Sequence, residues 1–180
     1  GQHQDAAIRN SGPGGNDSFS YTVRDSAGNT ASASVVLAVF NPALYRAPEN
    51  PAVTRAGVQV AWYAVTGAPA ALPDFNTLAP YQYNLVANVN VASTTGNFSV
   101  SGRADDLGAV YEGYVDVVTS GLYTFYLNSD DGSKMYLGDT LIISNDGPHG
   151  ATEVASARVG LQPGKHRVRI EYYEISGGAQ

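Results

Sequence analysis

The stretch LNSDDGSKMYL, residues 127–137, places two carboxylates side by side, Asp130 and Asp131. Adjacent anions repel, so such a pair either points both groups into water or holds a cation between them. Asp-Asp-Gly-Ser is also ordinary turn chemistry, and the residues alone leave both readings open. A second pair, Asp105–Asp106 in GRADDLGAVYEG, has no accompanying cation loop and reads as surface or turn structure. Glycoside hydrolysis uses paired carboxylates too, but they act across about 5–9 Å, which neighbours in one tight turn do not span. No G-x-S-x-G, H-E-x-x-H or phosphate-cradling glycine loop is present, and no cysteine is available as a nucleophile. The chain therefore reads as a non-enzyme.

The elements that must position Asp130 and Asp131 read as β-structure. Phe19, Tyr21 and Val23 alternate with serine and threonine, RDSAGNT makes a turn, and Ala31 to Val39 resumes the alternation, which predicts a hairpin. The stretch FNPALYRAPENPAVTRAG, with Pro42, Pro48 and Pro51, opposes both helix and central strand and reads as a linker. GVQVAWYAV opens a second β region, followed by the long proline-punctuated loop TGAPAALPDFNTLAPYQYN, expected to be functional or packed on the surface. GYVDVVTSGLYTFYLN places Tyr123, Phe125 and Leu127 on one face, and SKMYLGDTLIIS predicts a hairpin turning at Gly138–Asp139. GKHRVRIEYYEI turns Val168, Ile170 and Tyr172 inward. Short alternating strands with frequent glycine turns, and no long helical period, predict an all-β sandwich.

Composition narrows the partners. The 180 residues carry 43% hydrophobic content, enough for one full core plus a small appendage. A net charge of −6 opposes nucleic-acid binding, which needs a basic face, and suits a soluble surface or one that gathers cations. The longest apolar run, Ala31 to Phe40, is too short to enter a bilayer as a spanning helix. Without cysteine there is no disulfide framework, and an export signal is expected outside this stretch.

The run GYVDVVTSGLYTFYLNSDDGSKMYLGDTLIISNDGPHGATEV, followed by LQPGKHRVRIEYYEISGGA, resembles the fourteen-kilodalton domain first named from protective antigen. The resemblance covers roughly residues 57–180 and implies a jelly-roll-type β-sandwich of a kind found in adhesins, glycosidases, toxins and flocculins. In lectin members, two neighbouring aspartates joined by a cis peptide bind one Ca²⁺, which in turn binds vicinal sugar hydroxyls. Asp130 and Asp131 match those positions. The resemblance implies further oxygens from EISGGAQ: Glu174 where relatives place asparagine or glutamine, then Ser176 and Gly178 at alternate positions. Glu174 as a solvated strand end is the competing reading. SNDGPHGATE also matches the family pattern. Asn145 and Asp146 there suit Asx turns, and His149 either braces the loop or touches ligand. Gln180 stands at the end of the same ligand-binding loop, and the resemblance implies one more strand beyond it. His3 and His166 carry no such signal.

The opening GGNDSFSYTVRDSAGNTASASVVLAVF resembles the closing hairpin of Ig-like or cadherin-like repeats in large bacterial surface adhesins. The expected division is a hairpin of such a repeat at 1–41, a proline-rich linker at 42–56 and the protective-antigen-like domain at 57–180. The expected function is a calcium-dependent lectin module of an extracellular adhesin, binding cell-surface glycans with vicinal hydroxyls and flanked by neighbouring adhesin domains. The alternative is a structural or docking spacer in which calcium only braces a loop.

Overall fold

A computed structural model describes residues 14–180; His3 and the start of the expected 1–41 segment lie outside the described residues. Among the described residues there is no α-helix, and none long and apolar enough to cross a membrane. Strands β1 (Gly14–Arg24) and β2 (Thr30–Phe40) form the expected antiparallel hairpin, with Phe19 opposite Val35 and Tyr21 opposite Ala33. Its turn is closed by the Asp25 carboxylate, which accepts from the amides of Ala27 and Asn29, while Gly28 takes a left-handed φ of 93°. The hairpin is a separate two-stranded sheet whose apolar face, including Tyr21 and Val23, is exposed.

The remaining strands are β3 (Val58–Ala64), β4 (Gln82–Val86), β5 (Leu107–Val117), β6 (Gly121–Tyr123), β7 (Tyr126–Ser129), β8 (Ser133–Leu137), β9 (Thr140–Asn145), β10 (Thr152–Ala155), β11 (Val159–Leu161) and β12 (Gly164–Glu174). One antiparallel sheet of six strands runs β4-β3-β5-β12-β8-β9. Across the core from it lie the pairs β7–β10 and β6–β11, which complete the sandwich. The expected GYVDVVTSGLYTFYLN alternation is divided among β5, β6 and β7, because the chain changes partner from β11 to β10 at Thr124–Phe125. The inward facing survives this change: Tyr123, Phe125 and Leu127 all pack on the core.

Between the layers Trp62 meets Phe98 and Tyr111 edge-on, and Phe98 stacks on Tyr172 at 4.7 Å. Val168, Ile170 and Tyr172 face this core, as their alternation predicts. On the outer face of the six-stranded sheet, Tyr63, Val110 and Tyr173 form a second cluster roofed by Leu72 and Phe75 of the long proline-rich loop. That loop is thus packed on the surface. Gly108 makes room for it, since a Cβ there would lie 2.5 Å from the Phe75 ring.

Residues 42–56 contain little regular structure but lie against the sandwich. Tyr45 is buried over Gly160, and the Arg46 backbone bridges β11 through Gly160 O and the Gln162 amide. The Arg46 guanidinium meets Glu49 and, at 2.9 Å, Nδ1 of the fully buried His166, whose Nε2 faces Gln162 O at 2.8 Å. Glu49 accepts from the Arg167 amide and Asn50 from the Lys165 amide, so β12 holds this segment from the side. Nothing in the periodicity of the sequence signals these long-range contacts.

A Cβ at Gly160 would sit 2.3 Å from the Tyr45 ring. Gly160→Ala should therefore displace Tyr45 and lower stability by about 1–3 kcal/mol in urea denaturation, the range for overpacking. An unchanged midpoint would show that the packing of Tyr45 over Gly160 contributes nothing to the stability of the sandwich.

Candidate metal centre and ligand site

The pairing of β12 with β8 builds the site. Tyr172 stands opposite Ser133, and the ladder continues through a bond from the Tyr173 amide to Gly132 O at 3.0 Å. The same register brings Glu174, the last residue of β12, to Asp131, in the turn between β7 and β8. Carboxylate oxygens of Asp130, Asp131 and Glu174 lie within 4.8 Å of one another. The Asp130–Asp131 peptide bond is cis.

Several hydrogen bonds hold these groups in place. Asp131 is buried, and its two oxygens accept from the amides of His149 and Ile175, each at 3.0 Å. Glu174 is fully buried: Oε2 accepts from the Asp131 amide at 3.1 Å and from the Tyr172 hydroxyl at 3.3 Å. Glu174 Oε1 is buried and without any partner. The single proton of the Tyr172 hydroxyl is shared between Glu174 Oε2 and Asp130 O, which at 2.6 Å is the nearer acceptor. Beneath the turn, Ser129, Ser133 and Asn145 are buried and bonded to one another, with Asn145 also donating to Thr152 O.

The electrostatics follow from this crowding. Burial, reinforced by the Asp131 charge, pushes Glu174 up to about 7 from an ordinary 4.5. Burial and the neighbouring Asp131 likewise raise Asp130. Burial opposes the charged form of His149, but the carbonyls of Asn145 and Gly150 and the two aspartates outweigh it and raise the group.

The structure brings together most of the residues singled out in the sequence. Glu174 is a buried member of the cluster, which removes its reading as a solvated strand end. A Cβ on Gly178 would lie 3.5 Å from Asp130 Oδ2, so the loop backbone closely approaches the pair there. Gln180 and Asp130 exchange both main-chain hydrogen bonds, at 3.0 and 3.2 Å. Gln180 also lines a cleft of about 560 Å³ whose wall includes Asn88, Asn128 and Tyr111, a residue with a buried and unpartnered hydroxyl. Ser176 is exposed on the loop. His149 joins the site through its amide, and both ring nitrogens face carbonyls, those of Asn145 and Gly150.

Three contributors were missed in the sequence. Tyr172 is a core residue, as its alternation predicts, but its hydroxyl also reaches the site, and the signal for that is that a tyrosine at an inward strand end needs a hydroxyl partner. Asp105, read as surface or turn structure, is indeed exposed, but it also accepts from the Gly177 amide and so braces the loop after β12. Asp146 makes the expected turn with Gly147 and also holds the Leu72 amide and Lys134, neither of which is local in sequence.

The donor set consists of hard carboxylate oxygens, with no thiolate and no free imidazole nitrogen. Together with the orphaned Glu174 Oε1, it fits a calcium-type cation.

Residues 55–180 match the PA14 domain family, and the chain belongs to that family. A search of curated proteins finds no match. Among solved structures, the fold is similar to a PA14 sugar-binding domain from an RTX adhesin, with 18% identity and a TM-score of 0.59 over 71% of this chain and 87% of that one. It is similar to the PA14 domain of the antifreeze protein MpAFP, with 17% identity and a TM-score of 0.56 over 73% and 83%. An anti-sigma factor domain-containing protein aligns at 23% identity and a TM-score of 0.58, covering 70% of this chain and 41% of that one.

A carboxylate whose pKa is higher in the folded state than in the unfolded state stabilises the fold while protonated. That contribution is complete below about 4.5 and is lost as pH rises towards 7. Metal-free protein should accordingly lose melting temperature between pH 5 and pH 7.5, with His149 acting in the same direction. Glu174→Gln should flatten that decline and be more stable than the parent at pH 7.5 in the presence of chelator. An equally steep decline in the variant would assign the effect elsewhere.

Proposed function

We propose that this PA14 domain is a calcium-dependent carbohydrate-binding module of a surface adhesin. The observation that carries the reading is the convergence of Asp130, Asp131 and Glu174 on one point, with Glu174 Oε1 buried and unpartnered. Asp130, Asp131 and Glu174 would hold the ion, with the backbone carbonyls of Ser176 and Gly178 as further ligands from a loop that already approaches Asp130. Bound calcium, which takes about 6–8 oxygens, supplies positions that two vicinal hydroxyls of a sugar can fill. Asp131 stays fixed by its two amide donors, and Asp130, the more exposed of the pair, faces the ligand side. The solved relative described as a sugar-binding domain from an RTX adhesin supports the same class of ligand. In that role the partners are cell-surface glycans and the location is extracellular.

A second reading, a spacer in which the ion only braces a loop, draws on a specific observation. The carboxylates of Asp131 and Glu174 already tie the amides of His149, Ile175 and Asp131 together, so charge neutralisation alone would stiffen the turn.

Calcium should raise the melting temperature of chelator-treated protein and magnesium should do so much less, because magnesium dehydrates reluctantly and demands octahedral geometry. Asp130→Ala combined with Asp131→Ala should abolish the difference. Titrating calcium-loaded protein with monosaccharides separates the two readings: sugars with a suitably oriented vicinal diol should bind at about millimolar strength, and deoxy analogues should not. Chelator, or acid that protonates the carboxylates, should release the sugar. A calcium shift with no diol-bearing sugar bound would replace the lectin reading with the spacer.

A further inference from the structure

We propose that residues 66–74 form a specificity-determining wall of this ligand site, clamped by Asp146 as a positioning residue. The proposal rests on the lectin reading above. Asp146 Oδ1 accepts from the Leu72 amide at 2.7 Å and from the Gly147 amide at 2.9 Å, while Oδ2 pairs with Lys134 of β8 at 2.6 Å. One carboxylate therefore joins the proline-rich loop, the β9–β10 turn and the strand that follows Asp131. Burial works against the charged form of Asp146, but the contacts with Lys134, the Leu72 amide and the Gly147 amide outweigh it and lower the carboxylate, so the clamp stays charged at neutral pH.

The contacts lead directly to the metal centre. Ala70 O lies 3.6 Å from the position a Gly147 Cβ would take. Gly147 in turn packs on Gly132, whose Cβ would meet Gly147 O and N at 2.8 and 2.9 Å and the Tyr173 ring at 2.4 Å. Gly132 directly follows Asp131, and the Tyr173 hydroxyl reaches Pro69 O at 3.4 Å. The loop thus stands one turn away from the carboxylates. Its tip, Thr66 to Ala68 with Ala70 and Ala71, is exposed, and it presents small uncharged side chains and backbone. A sugar ring chelated at the centre is wider than the ion and overhangs the surrounding turn. Whatever substituent it carries on this side meets a wall whose position is set by the Leu72–Asp146 bond.

The test titrates D-glucose, D-mannose, D-galactose and L-fucose into calcium-loaded wild type, Asp146→Ala, Asp146→Asn and Leu72→Pro, with the calcium-induced melting shift as a control. Asp146→Ala removes the acceptor and Leu72→Pro removes the donor of the same bond. Both should change the affinity ratio between the two best sugars by about threefold or more, to similar extents, and the double variant should change it no further. Asp146→Asn keeps an acceptor oxygen and should restore the wild-type ratio, which a merely destabilised fold would not do. If Asp146→Ala fails to fold, Leu72→Pro carries the test. Unchanged ratios in both single variants would overturn the wall and leave the lectin reading standing. Loss of the calcium shift in both would place Asp146 in the metal centre and overturn the wall. Calcium binding without any sugar binding in the wild type would overturn the lectin reading and the wall together.

Discussion

Three carboxylates held within 4.8 Å of one another are the constraint around which this end of the sandwich is organised. At that separation two full charges repel by about 3–4 kcal/mol even at an effective dielectric of 20. The groups cannot relax apart, because the β12–β8 ladder fixes Glu174 against Asp131 and the closed main-chain pair of Asp130 with Gln180 fixes the other side. The repulsion must be answered locally, by amide donors, by a proton or by a cation. The amides of His149, Ile175 and Asp131 and the Tyr172 hydroxyl answer part of it. Glu174 Oε1 is left over, and the upward push that burial and Asp131 give Glu174 makes a proton the local answer on the acid side of neutrality when no cation is bound.

The rest of the architecture serves to keep those groups in place. Ser129, Ser133 and Asn145 form a bonded polar layer under the turn, so the carboxylates rest on a rigid floor. Asp105 fixes the loop after β12 from one side and Asp146 fixes the proline-rich loop from the other. The proline-rich loop is tied through one carboxylate to Lys134 of β8, and the loop after β12 through another to the segment that leads into β5. Multiple short links of this kind would preorganise these loops for the proposed ligand, because the loops need not be ordered at the moment of binding. The distant end is braced separately, where Arg46 and Glu49 dock residues 42–56 against His166 and β12.

Much of this was legible in the residues. Period-two alternation located the hairpin of β1 and β2, the β8–β9 turn at Gly138 and the inward face of β12, because each pattern reports a single buried face. Asp130 and Asp131 stood out as unfavourable neighbours, and the family resemblance supplied Glu174, which its own composition would have left as a strand-end charge. Contacts made by side chains distant in sequence were not legible. His166 looks like a lone histidine among alternating polar residues, yet it is fully buried through an arginine 120 positions away. Asp146 looks like a turn residue, and its bonds to Leu72 and Lys134 depend on how the layers fold together. The break at Thr124–Phe125 was hidden for a related reason: alternation records which face is buried but not which strand is the neighbour.

The central claim, that a cation replaces the proton in this cluster, is tested most directly by counting protons. Calcium titration of chelator-treated protein in two buffers of different ionisation enthalpy gives the number released on binding at each pH. Because Glu174 titrates at about 7, calcium binding should release close to one proton near pH 6, a smaller share at pH 7 and almost none at pH 8.5. Glu174→Gln should lose most of that release. Calcium binding with no proton release at any of these pH values, or with the same release in Glu174→Gln, would contradict the account.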